Sequence, residues 1–154
     1  VKAPNVVLMN SSGGAYLRRW HIIPRNKFFN IYLHHFLSSD EDRALHDHPW
    51  WFASLVLRGG YWEHREDGWM RWRRPGSFAI RRADTAHRVE LDTKIVEAKV
   101  PGVWKTWVDG FVRRDKPAWT LIFTGPKIRS WGFHCPQGWI HWKRFDKRNG
   151  CGEQ

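Results

Sequence analysis

Turn dipeptides fall at short, regular intervals along this chain: Gly59-Gly60, Asp67-Gly68, Arg74-Pro75-Gly76, Pro101-Gly102, Asp109-Gly110 and Gly125-Pro126. Between them lie short runs in which apolar and polar residues alternate, the period of a strand with one face on a core. The runs predict strands at 28–36, 50–57, 61–66, 69–73, 77–81, 87–91, 94–100, 103–108, 119–124 and 140–145. Asp67-Gly68 between two of them is a strong hairpin signal. One short helical turn is predicted at 39–44, where Ser39 precedes an acidic stretch as an N-cap would. Regular short strands with frequent turns imply a sandwich or small barrel, so the expected class is all-β. No repeat, low-complexity segment or linker divides the 154 residues, and one domain over 1–154 is expected.

Composition narrows the partners. With 26 Lys+Arg against 15 Asp+Glu, the formal net charge is +11. That balance favours an anionic partner: a small carboxylate substrate, an acidic surface or nucleic acid. No uninterrupted apolar run approaches the roughly 20 residues of a membrane span, and no signal peptide is visible. The chain opens on Val rather than Met, which leaves its true start open. Cys135 and Cys151 are too few for a disulfide framework; they could form one bridge or stay free, and a cytoplasmic location is expected. Twelve tryptophans need packed or interfacial homes, which predicts a broad aromatic core and some exposed rings.

His46-Asp47-His48 is the pattern that carries chemistry. Histidines at i and i+2 of a strand project from one face, so both imidazoles can reach one point. His87, from a neighbouring strand, can close the set. Neutral imidazole suits iron, zinc, copper or nickel, and three nitrogens on one side leave positions open for substrate or oxygen. The plain alternative is two solvated surface histidines and one hydrogen-bonded core histidine, because His-x-His is a short pattern.

Phe29-Asn30-Ile31-Tyr32-Leu33, then Ala44-Leu45-His46-Asp47-His48 and a strand ending at Gly59, resembles the cupin superfamily. Ala86-His87-Arg88-Val89-Glu90-Leu91 brings the resemblance closer to the cysteine dioxygenase type of thiol dioxygenase, over roughly 16–126. The resemblance implies a cupin double-stranded β-helix, a jelly-roll barrel around a ligand cavity. It also implies Fe(II) held by His46, His48 and His87, with zinc, nickel or another divalent ion as alternatives, and oxidation of a small, thiol-type substrate. Ordinary metal-binding cupins add a glutamate soon after the His-x-His pair. Here Pro49-Trp50-Trp51-Phe52-Ala53-Ser54 carries no carboxylate, and Glu63, past the Gly59-Gly60 turn, is a poor substitute ligand.

The family's catalytic tyrosine and its carboxylate-clamping arginine match Tyr16 and Arg18, with Arg19 and Arg25 competing for the arginine's place. The family's histidine and tyrosine near the substrate fall on Ile122 and Thr124, and its cross-linking cysteine falls on Ala53. A wall of that kind favours a less polar or bulkier substrate than free cysteine.

Three further groups have two readings each. In the run Phe29, Ile31, Leu33, apolar parity points His35 inward, as a hydrogen-bonded core histidine or a further metal contact. His134, Cys135, His141 and Cys151 lack the paired ligand gaps of structural zinc sites, so a tail folded over the barrel is expected. Trp69 to Arg74, Phe111 to Arg114 and Trp139 to Arg144 interleave aromatic and basic residues, either as a nucleic-acid track or as cations lying over tryptophan. The rival functions are therefore a cupin with non-oxidative metal chemistry and a non-catalytic basic module for nucleic acid or an acidic partner.

Overall fold

The alternating runs form β-strands in the computed structural model, which describes residues 2–40, 44–103, 107–146 and 150–151. One antiparallel sheet is ordered β1 (Val6–Met9), β2 (Ala15–His21), β3 (Asn30–Phe36), β12 (Ala118–Thr124), β5 (Phe52–Arg58) and β8 (Phe78–Arg81). The other is ordered β14 (Gly138–His141), β13 (Gly132–Cys135), β4 (Leu45–His46), β9 (His87–Leu91), β6 (Tyr61–Arg65) and β7 (Met70–Arg73). The chain passes back and forth between the two sheets, which is the winding of a double-stranded β-helix. A third, two-stranded ribbon pairs β10 (Thr93–Pro101) with β11 (Trp107–Asp115).

Strand parity sets the interior. On β3 the buried residues are Asn30, Tyr32, His34 and Phe36. Leu17, Phe36, Val56, Tyr61, Val89, Leu91 and Ala118 close a core between the sheets. Each large apolar side chain so buried contributes about 1.5–3 kcal/mol. A second cluster joins Ala44, Phe133 and Phe145, with the Phe133 and Phe145 rings stacked 3.7 Å apart. The Cys135–Cys151 disulfide ties the C-terminal segment to β13 across a Cα separation of 5.4 Å.

Several expectations are corrected. Among the described residues there is no α-helix: Ser39 and Asp40 are not helical, and 41–43 of the expected turn lie outside them. Asp109-Gly110 is not a break but the middle of β11. Gly110 stands opposite Ala98, and a Cβ there would come 2.5 Å from Val100 Cγ2. That glycine answers a need for space rather than for a turn. Of the strand expected at 103–108, residues 104–106 lie outside the described set. The last expected strand, 140–145, ends at His141, and 142–144 turn. Strands β1, β2 and β13 were not anticipated, and of the strand expected to carry His46 and His48 only Leu45–His46 (β4) forms, with His48 beyond its end.

Candidate metal centre

His46 ends β4 and His87 begins β9, and the two stand directly opposite in the antiparallel register. Directly opposed residues share a face. His48, two residues on, keeps the parity of His46. The three ring centroids form a triangle with every side 5.1 Å. Nε2 of His48 and Nε2 of His87 are 2.8 Å apart, and one ligand nitrogen from each ring lies within 4.8 Å of the others. Among the described residues, this is the group of histidines, cysteines and carboxylates that could hold a metal ion.

Asp47 faces the other way and fixes the segment. Its 1 % exposed carboxylate accepts from Arg129 Nη1 at 2.8 Å, Gly132 N at 2.8 Å and Trp139 Nε1 at 2.9 Å, and lies 3.0 Å from His134 Nε2. Burial pushes its carboxyl up, but hydrogen bonds from Arg129, Gly132, His134 and Trp139 outweigh burial and hold it below the usual range. A two-residue strand has little ladder of its own. Asp47 therefore pins β4 to β13 and β14, and holds His46 and His48 in place.

Two carboxylates stand behind the imidazoles. Glu63 Oε1 lies 3.3 Å from Nδ1 of His87, off hydrogen-bond alignment. Arg81 donates to the same carboxylate through Nε at 3.0 Å and Nη2 at 2.6 Å. Burial pushes the Glu63 carboxyl up, yet His87 and Arg81 together bring it down to about 2, so it is ionised. Asp40 Oδ2 lies 3.9 Å from Nδ1 of His46 and accepts from Val89 N at 2.7 Å. Tyr16 donates its hydroxyl to the other oxygen of Asp40.

Burial lowers His46 to about 4 and His48 well below the ordinary imidazole range, the latter with His87 as the next cause. Both are neutral at pH 7, the state that ligates metal. An anionic Glu63 facing Nδ1 of His87 favours a proton there and a lone pair on Nε2, which points at His48. Two nitrogens 2.8 Å apart suit one cation, since adjacent ligands at about 2.1 Å from an ion stand about 3 Å apart. The donor set fits a divalent metal.

The opposite wall comes from the first sheet. Phe52 packs 4.6 Å from the His48 ring and 5.3 Å from His87. Thr124 pairs with Phe52, and Ile122 with Ser54 and Tyr32, on the inward parity of β12. The hydroxyls of Thr120 and Thr124 are buried and make no hydrogen bond among the described residues. Ala53 is buried on the other parity of β5, between Ile80 and Phe123.

The expected site residues divide. Tyr16 joins the site through Asp40, behind His46. Arg18 does not: it is exposed on the outer face of β2, opposite His35. Arg25 is exposed as well. Arg19 is the inward arginine, its Nε donating at 2.8 Å to Nε2 of buried His34, its guanidinium 4.9 Å over the Tyr32 ring. His34 rather than His35 therefore faces in, correcting the parity argument. The outer residues Ile31 and Leu33 are apolar too, packing against Phe123 and Leu121 across the register, while His35 stacks on Trp119 at 3.9 Å.

Asp40 and Arg81 were missed as site residues, Glu63 was weighed only as a metal ligand, and Arg19 stood as a competitor to Arg18. The signal available for Glu63 was its inward parity with Tyr61 on the strand after Gly60. At the C-terminus, Cys135 and Cys151 pair with each other, and His134 lies 2.7 Å from Glu66. Arg65 and Arg71 lie over Trp69, and Arg129 over Trp139, cations packed on rings.

The sequence matches no family model and no curated protein. Solved structures do resemble it. The DMSP lyase DddQ from Ruegeria pomeroyi DSS-3 aligns over 90 % of this chain at 12 % identity with a TM-score of 0.56, and this chain spans 61 % of that one. The Clostridium difficile EutQ protein aligns over 84 % of this chain and 83 % of its own, at 7 % identity and a TM-score of 0.52. An RmlC-like cupin protein from Desulfovibrio desulfuricans aligns over 83 % and 99 %, at 14 % identity and 0.47. The chain has the double-stranded β-helix fold. At these identities the likeness speaks for the fold alone.

Proposed function

We propose that this chain is a metal-dependent enzyme: a mononuclear non-haem iron dioxygenase acting on a small anionic substrate, of which a thiol is the first class to test. The observation that carries the reading is the convergence of three imidazoles with their nearest carboxylates, Glu63 and Asp40, behind them and not among them. A ligand set without charge leaves a divalent ion its full double charge, which favours capture of an anion. When bound, the ferrous ion supplies oxygen activation, which side chains cannot.

The chain's own residues supply position. Glu63, held by Arg81, orients His87, and Asp40, held by Tyr16, orients His46. Arg19 replaces Arg18 as the group that anchors an acidic part of the substrate, since of Arg18, Arg19 and Arg25 it is the one that faces the interior. Phe52 and Ile122 exclude water from one side, and the Thr120 and Thr124 hydroxyls offer the substrate donors of their own. The deciding assay is oxygen consumption by iron-loaded protein across a panel of small thiols. Uptake that a His87→Ala variant lacks supports the reading. No uptake above that variant, with zinc or nickel as the native metal, moves the site to non-oxidative chemistry.

A further inference from the structure

The edge strands β7 and β8 are joined by the Arg74-Pro75-Gly76 turn, and beside it opens a cleft of about 510 Å³. Arg71, Arg73, Arg74, Ser77 and Phe78 line it, and among the described residues no carboxylate does. Arg73 is only 4 % exposed, and its enclosed Nε and Nη2 find no hydrogen-bond acceptor among the described residues. The nearest acceptor charge is Glu63 Oε2, 3.8 Å from Nε. Glu63 is already taken: Arg81 donates to both of its oxygens, and His87 stands 3.3 Å away. One buried carboxylate thus serves two enclosed guanidinium groups. A buried guanidinium with unmet donors is costly unless an anion completes it.

We propose that this cleft binds the phosphoryl group of a small phosphorylated molecule. A guanidinium presents a planar fork that matches phosphate oxygens, and three arginines suit a dianion better than a single carboxylate. Arg73 supplies positive charge from beneath the cleft, while Arg71 and Arg74 close on the oxygens from the rim. Phe78, 57 % exposed at the cleft, gives the organic body an apolar flank. The volume lies in the range of small-molecule sites. Glu63 stands between the cleft and His87, so this is a site separate from the metal centre.

The test is calorimetric titration of the whole chain with inorganic phosphate and with phenyl phosphate, ionic strength held constant with sodium chloride. Saturable binding is expected, tighter for phenyl phosphate, and weakened about tenfold or more by Arg71→Ala with Arg74→Ala. Both rim arginines are exposed, so that double variant is expected to fold where Arg73→Met need not. A His48→Ala variant is expected to bind phosphate as the parent does. Absence of saturable binding, unchanged affinity in the double variant, or binding lost with His48 would each overturn the proposal. The last result would mean that phosphate had been captured at the histidines.

Discussion

Asp47 lies between two of the three clustered imidazoles in sequence and faces away from both, into donors from Arg129, Gly132 and Trp139. The side chains that present the histidines are thus held by one whose role is purely to fix backbone. Glu63 does the corresponding work from behind His87. Glu63→Gln keeps the shape but removes the charge that favours a proton on Nδ1, so metal affinity is expected to fall about 10–100-fold, read by competition with a chelator. Unchanged affinity would remove Glu63 from the site. At this scale the shared side of His46 and His48 was legible from their i, i+2 spacing in extended chain, although His48 lies beyond the end of β4, and His87 joins them by pairing opposite His46. Arg19 was not legible, because its inward direction depends on β2. That strand's run of Ala15, Tyr16, Leu17, Arg18, Arg19 and Trp20 shows no clean alternation.

β4 is two residues long, and its place depends on neighbours more than on its own ladder. It pairs with β9 through His46 and His87, and with β13 through Phe133 opposite His46 and His134 opposite Leu45. Gly132, at the start of β13, lies so close to β14 that an added Cβ would overlap the Ile140 carbonyl oxygen. Its amide also donates to Asp47. Gly132→Ala is therefore expected to cost about 2–4 kcal/mol in urea denaturation and to weaken metal binding with it. A variant as stable as the parent would show that β13 is free to shift. The sequence marks long alternating strands well and short ones poorly. β3, β5, β9 and β12 follow their runs, whereas β4 and β13 are made by pairing partners distant in sequence. Gly110 carried a false turn signal, because glycine serves close packing as readily as a bend.

Across the whole molecule, neutral imidazoles that are buried or half-buried link stability to pH. His46 sits at about 4 when folded and near 6.5 when unfolded, and burial moves His48 and His34 in the same direction. Between those values the unfolded chain takes up protons that the folded one does not, so stability is full above about 6.5 and falls as pH drops toward 4. Calorimetry on metal-free protein is expected to show the melting temperature falling through that window, and a flat profile would contradict the burial of these rings in a neutral state. Bound metal raises the profile at neutral pH and is lost over the same acid range, because protons compete for the same nitrogens. The all-β class and the cupin winding were legible at this scale from turn spacing together with the histidine strings. The barrel's ends were not, since β1, β2 and the disulfide-tied tail carry weak patterns.

The claim on which the rest depends is that His46, His48 and His87 hold one divalent ion. Metal content by mass spectrometry, after anaerobic loading with Fe(II) and desalting, tests it directly in the parent chain and in His48→Ala. The account predicts about one iron per chain in the parent and about a tenth of that or less in the variant, with both folded by circular dichroism. Equal iron in the two proteins, or none in either, would contradict it.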